Sequence, residues 1–428
     1  MGTTPSRPAS RWSRTTRSTL LLVTPALVGA LVATSPSSSA ASESRPHPTL
    51  VGRAVLPFDT LAGGPPSGAF VAPGGAGNVN GVTFPLSAQP VQGFSAIVDG
   101  HRRREFLAMS DNGFGTKENS PDFLIRARFV RPEFKTARGG SGAVDIGDFI
   151  SFRDPDHRLG FPIVNDDTRR RRLTGADIDP ESLQRAPNGD LWVGDEFGPW
   201  VLHFNARGRL LDPPYEVPGI RSPQNPALAD PDDASQPRSR GFEAMAISRN
   251  GRFLYPALEG ATVADPDQSR RNIYQFSIRE RAFTGRVFRY RTEADANLVA
   301  DMAAVGRRRM VVIERDAGSG ANALFRRIYR VELRRHSEEA SVPKTELVDL
   351  AAIPDPDLVS LPPLHPGDVG LGDPFRVTCE SVEAVHPVGD RRLLVGCDNN
   401  LPNSGRNPER PDDNEFILVD VPGLRSAP

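Results

Sequence analysis

The chain has no surplus of either charge. In 428 residues, 52 Lys and Arg stand against 53 Asp and Glu, a net of −1, which disfavours both a strongly basic nucleic-acid binder and a polyacidic tail protein. Lysine is nearly missing: Lys117, Lys135 and Lys344 are the only ones, so almost every basic side chain is arginine, a bias that by itself predicts nothing. The seven histidines are scattered, no His-Glu-x-x-His occurs and there are only two cysteines, which argues against a zinc centre. There is no Gly-x-Ser-x-Gly elbow, and Ser95 in Gly-Phe-Ser-Ala-Ile lacks a strand-to-helix setting, so a serine esterase has little support. No Gly-x-x-x-x-Gly-Lys phosphate loop and no helical heptads are present. What is abundant is turn chemistry: 39 Gly and 41 Pro, far more than a helix-rich protein tolerates, which points to β structure.

The first 40 residues read as a secretory signal peptide. Arg7, Arg11, Arg14 and Arg17 precede an apolar run from Thr19 to Ala33, and small residues follow to Ala41, with cleavage expected near Ala40. The run is short and interrupted by Pro and Gly, so no stable membrane span is expected after cleavage. Loss of four arginines and no acid leaves a mature chain near −5, expected to be secreted and monomeric. Export permits a disulfide, and Cys379 and Cys397 flank two strand-like runs joined by Pro387-Val388-Gly389. Pairing 386 with 390 sets 379 opposite 397, which predicts a cross-strand bridge.

Five segments share one plan: a short apolar strand, a Gly-containing turn, and a second apolar strand ending in an acid. They run from Gly93 to Asn112, Asp179 to Glu196, Gly241 to Glu259, Asp301 to Arg315, and Glu380 to Asn399. Third strands follow at Val201–Phe204, Ile273–Phe276 and Ile328–Val331. With Leu50–Pro57 and Phe416–Val421 available to close a ring, residues 41–428 are expected to form one all-β domain, a β-propeller of about six blades within a range of about five to seven.

The polar residue at the start of the first strand and the acid at the end of the second lie 14 to 16 residues apart in four of these units, with the turn midway. In an antiparallel hairpin those two positions are neighbours, so each unit puts its polar pair at the same end of its blade. Ser95, Glu181, Glu243 and Glu383, with Asp111, Asn112, Asp195, Glu196, Glu259, Glu314, Asp398 and Asn399, are therefore expected to ring one mouth of a central channel. So many carboxylates repel unless protons, arginines or a cation relieve them. An all-oxygen donor set suits a hard cation, Ca²⁺ first. Strand-terminal Asp and Asn also cap turns without metal, but five repeats in one phase favour a shared site. The run Arg169–Arg172 reads as a solvated loop.

These residues resemble the phytase-like, "esterase-like activity of phytase" family of secreted β-propellers, distantly similar to calcium-dependent alkaline phytases. The resemblance rests on Ser110-Asp111-Asn112-Gly113, Asp179-Pro180-Glu181-Ser182-Leu183, Leu191-Trp192-Val193-Gly194-Asp195-Glu196-Phe197-Gly198-Pro199, Gly241-Phe242-Glu243-Ala244-Met245, Val312-Ile313-Glu314-Arg315, and Glu380-Ser381-Val382-Glu383 with Asp398-Asn399. Two departures stand out: Arg238-Ser239-Arg240 where the family usually has Asn, and Met302 where an acid would fit. The resemblance implies a hydrolase of phosphate or other small esters, with Ca²⁺ held by Asp111, Glu181, Asp195, Glu243, Glu314, Glu383 and Asp398. On that reading Glu196 or Glu259 accepts a proton from water, Arg315 grips a phosphoryl oxygen, and Lys117, Asn112 and Asn399 assist substrate binding. A sugar-lactonase-like calcium propeller and a non-catalytic extracellular binding propeller fit the same ring.

Overall fold

The strands here carry little alternation: Phe106–Ser110 reads FLAMS, Leu191–Asp195 reads LWVGD, and every residue of both is buried. A strand with both faces covered is apolar on both. The reason is visible in the computed structural model, which describes residues 47–334 and 340–425; the segment expected as a signal peptide lies outside the described residues. Five four-stranded antiparallel sheets stand side by side, with no α-helix among the described residues.

Blade I is Phe94–Asp99, Phe106–Ser110, Arg126–Pro132 and Val144–Ser151, named from the innermost strand outward. Blade II is Pro180–Arg185, Leu191–Asp195, Trp200–Phe204 and Tyr215–Glu216; blade III is Phe242–Ile247, Phe253–Leu258, Arg270–Ser277 and Ala282–Arg291. Blade IV is Leu298–Ala304, Arg309–Arg315, Arg326–Glu332 and Lys344–Asp349. Blade V is Ser381–Val388, Arg392–Asp398, Asn414–Asp420 and, as its outermost strand, Thr49–Leu56 from the other end of the chain. Each innermost strand contacts that of the next blade, and blade V returns to blade I, so the ring closes.

The count is five, at the lower end of the expected range. No sixth blade forms because Thr49–Leu56 and Asn414–Asp420 pair with each other and complete blade V. This tethers the two ends of the domain in one sheet.

Five hydrophobic clusters fill the five interfaces between blades, and alternate side chains of one strand serve different interfaces. Leu191 and Val193 point with Leu107 and Met109 into the blade I–II cluster. Trp192, between them, joins Phe242, Leu254 and Phe276 in the blade II–III cluster. Met302 and Val312 meet Ala244 and Ala246 between III and IV, Val311 and Ile313 meet Val382 and Val395 between IV and V, and Phe94 meets Phe416 between V and I. Burying aromatic and aliphatic side chains on both faces stabilises each by about 1.5–3 kcal/mol relative to exposure.

The Cys379–Cys397 disulfide is formed, but the register differs from expectation. His386 pairs with Leu394 and Cys397 lies opposite Val382, because the turn spans Gly389 to Arg391 and a register slip follows at Glu383. Cys379 sits just before the strand begins and reaches back to Cys397. The bridge spans 18 residues, a loop whose closure contributes about 3 kcal/mol in the chain-entropy picture. Replacing both cysteines by serine is expected to lower the melting temperature by several degrees. An unchanged melt would show that other contacts already hold this loop.

Candidate functional site

One irregularity recurs in all five blades. In each innermost strand the pairing slips by one residue near its start, leaving a single residue with no partner across the hairpin. The unpaired residues are Ser95, Glu181, Glu243, Ala300 and Glu383. A β-bulge re-aims its side chain, so these five form one tier around the axis. On each second strand, the residue one place beyond the partner of the residue before the bulge belongs to a second tier: Asp111, Glu196, Glu259, Arg315 and Asp398. Backbone bonds lock the tiers together, with the amides of Asp111, Glu196 and Glu259 donating to the carbonyls of Gly93, Asp179 and Gly241 at 2.9 Å in each case.

The tiers meet in three overlapping groups whose carboxylate oxygens lie within 4.8 Å of one another: Asp179 with Glu181 and Glu196, Glu181 with Glu243 and Glu383, and Glu196 with Glu243 and Glu259. All are buried. Burial, then mutual repulsion, pushes the Glu181 and Glu243 carboxyls well above the usual carboxylate range, and Glu196, Asp111 and Asp398 follow for the same reasons. Asp179 rises to about 6; burial raises it, and bonds from Glu181 and Asn112 hold it down.

Arginine supplies the opposing charge. Blade IV breaks the pattern, with Ala300 in the first tier and Arg315 in the second. Arg315 Nη2 lies 2.8 Å from Glu383 and 3.3 Å from Glu259, bridging blades V and III. Burial opposes its charge, but Glu383, Glu259 and Glu243 outweigh that and hold its proton more tightly than usual. Arg240 Nη1 takes the other oxygen of Glu259 at 2.7 Å. Glu259 is thus engaged at both oxygens, which leaves it poorly suited to take a proton. Among the described residues, Glu196 has only the Gly241 amide, at 3.1 Å, on one oxygen.

Several expected residues lie elsewhere. Glu314 and Asp195 are one residue out of phase with the second tier, so the strand's alternation turns them away from the clustered oxygens. Glu314 is enclosed by Tyr290 Oη at 2.6 Å, Asn297 Nδ2 at 2.8 Å and Lys344 Nζ at 2.9 Å. Asp195 accepts the amides of Asp179 and Gly198, both at 2.8 Å, and burial raises it to about 8. Asn399 accepts the Gly93 amide and donates to the Asp412 carbonyl at 3.1 Å each, which ties blade I to blade V. Lys117 lies 5.4 Å from the centre of the Phe197 ring. Asp111 and Asp398 cap turns, accepting the amides of Gly113 at 2.9 Å and Asn400 at 2.8 Å, yet stand close enough to Glu383 to feel its charge.

Asn112 gives Nδ2 to Asp179 at 2.8 Å, while its Oδ1 is buried without a partner. An orphaned oxygen beside an all-carboxylate cluster fits a hard cation better than it fits a dry protein core. Asp179 and Arg240 were not singled out from the sequence as site residues. The signal for Asp179 is its place directly before Pro180-Glu181; Arg240 stands out only as part of the Arg238-Ser239-Arg240 departure, since its role depends on reaching Glu259. Gly241 has a packing reason to be glycine: a Cβ there would meet Cα and the carbonyl oxygen of Glu196 at 2.6 Å.

A family described as "Phytase-like: Esterase-like activity of phytase" matches residues 89–401. An uncharacterized secreted protein of Arthroderma benhamiae is 29% identical over 133 residues, which is 27% of this chain and 26% of that protein, so the match spans about a quarter of its length. Among solved structures, a luciferin-regenerating enzyme aligns over 79% of this chain and 80% of its own at 11% identity and a TM-score of 0.35. A putative oxidoreductase (glucose dehydrogenase) of Thermus thermophilus aligns over 87% and 98% at 13% identity and 0.34.

In a metal-free buffer containing EDTA at pH 8, Glu243→Gln is expected to stabilise the protein by about 2 kcal/mol, because it removes a buried like charge and leaves a hydrogen-bonding group. A lower melting temperature than wild type under those conditions would mean that the carboxylates are not in conflict.

Proposed function

The chain belongs to the phytase-like family, and from that premise we propose that it is a secreted hydrolase of phosphate or other small esters, acting at the acidic mouth of the propeller with the help of Ca²⁺. The observation that carries this reading is the set of three carboxylate groups that share Glu181, Glu196 and Glu243. The absence of nitrogen and sulfur ligands favours calcium over zinc.

Glu181, Glu243 and Glu383, with Asp179 alongside, would hold the cation; bound there, it would neutralise ester oxygens and polarise the bond to be broken. The chain's own groups do the rest. Arg315, fixed by Glu259 and Glu383, would carry the positive charge that an anionic substrate oxygen meets. Glu196, with one oxygen unbonded, is the group placed to accept a proton from the attacking water. Glu259 serves to orient Arg240 and Arg315 rather than to move a proton. The secreted relative supports an extracytoplasmic location.

The test is a melt in EDTA and in calcium, followed by assays with p-nitrophenyl phosphate, p-nitrophenyl acetate and phytate. Calcium is expected to raise the melting temperature and to be required for turnover of at least one ester. Glu181→Gln is expected to abolish that turnover and the calcium-dependent shift while the protein stays folded. If calcium leaves the melt unchanged and no ester is cleaved, the metallohydrolase reading fails; full activity in Glu181→Gln would fail the site assignment.

A further inference from the structure

We propose that a groove between blades I and V, at the end of the propeller opposite the acidic mouth, binds a linear polyphosphate-like anion. The proposal is independent of the hydrolase reading. The groove is lined by Asp99 and Phe106, which flank the turn joining the two inner strands of blade I, and by Pro387, Val388, Gly389 and Arg392 at the corresponding turn of blade V. The bulges at Ser95 and Glu383 sit at the other end of the same innermost strands.

A hairpin builds the outer wall. The turn between Pro132 and Val144 of blade I folds across onto the outermost strand of blade V, where the amide of Arg53 donates to the Lys135 carbonyl at 3.1 Å and the amide of Lys135 returns the bond at 2.9 Å. The amide of Val55 adds a bond to the Gly142 carbonyl at 2.8 Å. A wall pinned by three backbone bonds keeps the groove open without a ligand. The cavity is about 1200 Å³, far more than one phosphate fills.

Its charge is one-sided. Arg103, Arg104, Arg131, Arg138, Arg392 and Arg425 line it, against Asp99, Glu133 and Asp357. Asp99 faces His386 Nε2 at 3.1 Å, and Glu133 accepts from Ser141 at 3.0 Å. Arg425 is held by Asp390 at 2.7 Å, and Arg131 approaches Asp145 at 4.0 Å. The side chains of Arg103, Arg104, Arg138 and Arg392 are exposed and make no ion pair among the described residues. A chain that is near neutral overall thus concentrates unpaired guanidinium groups in one groove, where they attract an anion over a Debye length of about 8 Å at physiological salt. Guanidinium forks match phosphoryl oxygens two at a time. Six of them around one groove suit charges repeated at every unit of a phosphate chain, and suit less well a uronic-acid polymer with one carboxylate per sugar.

The experiment is a binding titration of fluorescently labelled long-chain inorganic polyphosphate with the whole protein, in EDTA so that no cation links the polymer to the acidic mouth. Arg103→Glu with Arg392→Glu is compared with Arg169→Glu with Arg170→Glu, a pair of equal charge change outside the groove. The groove pair is expected to weaken binding by about tenfold or more, with the control pair within about twofold and polygalacturonate binding more weakly than polyphosphate. All four positions are exposed, so both variants should melt as wild type does, and Arg138→Glu alone gives a milder second test. Absence of polyphosphate binding, equal loss in both pairs, or polygalacturonate binding as tightly as polyphosphate would overturn the proposal.

Discussion

Like charges crowded out of water are the constraint on which the rest of this structure turns. Eight carboxylates, from Asp111, Asp179, Glu181, Glu196, Glu243, Glu259, Glu383 and Asp398, are buried at one end of a closed ring of strands. Such a cluster is tolerable only where the surrounding fold is stiff and some opposing charge is at hand. The stiffness comes from five hydrophobic interfaces and a ring closed by pairing the two ends of the domain within blade V. The opposing charge comes in part from Arg315, which occupies in blade IV the place that acids occupy in the other four. One arginine bridging blades III and V does there what a cation is proposed to do where blades II, III and V meet.

The bulges connect fold to chemistry. A regular ladder would alternate side chains into neighbouring interfaces and leave no place for a polar tier. One unpaired residue per innermost strand breaks the alternation once, turns Ser95, Glu181, Glu243 and Glu383 toward a common axis, and restores the apolar pattern directly afterwards. Gly241 then lets blade III approach the backbone of Glu196 closely enough for its amide to hold that carboxylate. The turn ends of the same hairpins carry the opposite charge, so the molecule is polar along its axis despite a net charge near zero.

Much of this was legible in the sequence. Hairpin grammar pointed to the propeller, and the near-constant offset from Glu181, Glu243 and Glu383 to an acid across the hairpin pointed to the ring. What escaped was a matter of single residues. The offset of 14 from Glu181 falls on Asp195, which pairs with Pro180, whereas Glu196, expected at the same mouth, is the counterpart of Asp111 and Glu259. In blade IV Glu314 pairs with Val299 ahead of the bulge, and Arg315 takes the place in the second tier. Blade IV's bulge fell at Ala300, ahead of the Met302 position where an acid was sought. The blade count depended on whether two terminal strands pair with each other, which local pattern does not encode. Arg171, read as part of a solvated loop, is buried, paired with Asp166 in its own loop and facing Asp154 at 3.7 Å, the second a contact that the local sequence does not encode.

The central claim is that the bulge carboxylates form a cation site rather than a set of shared protons. It is tested most directly by anomalous diffraction from crystals grown with calcium and then washed into EDTA. The account predicts a calcium peak within coordination reach of Glu181, Glu243 and Glu383 that disappears on washing while the ring of bulges stays in place. A map with no peak at that mouth, and with the carboxylates bonded only to one another and to ordered water, would contradict it.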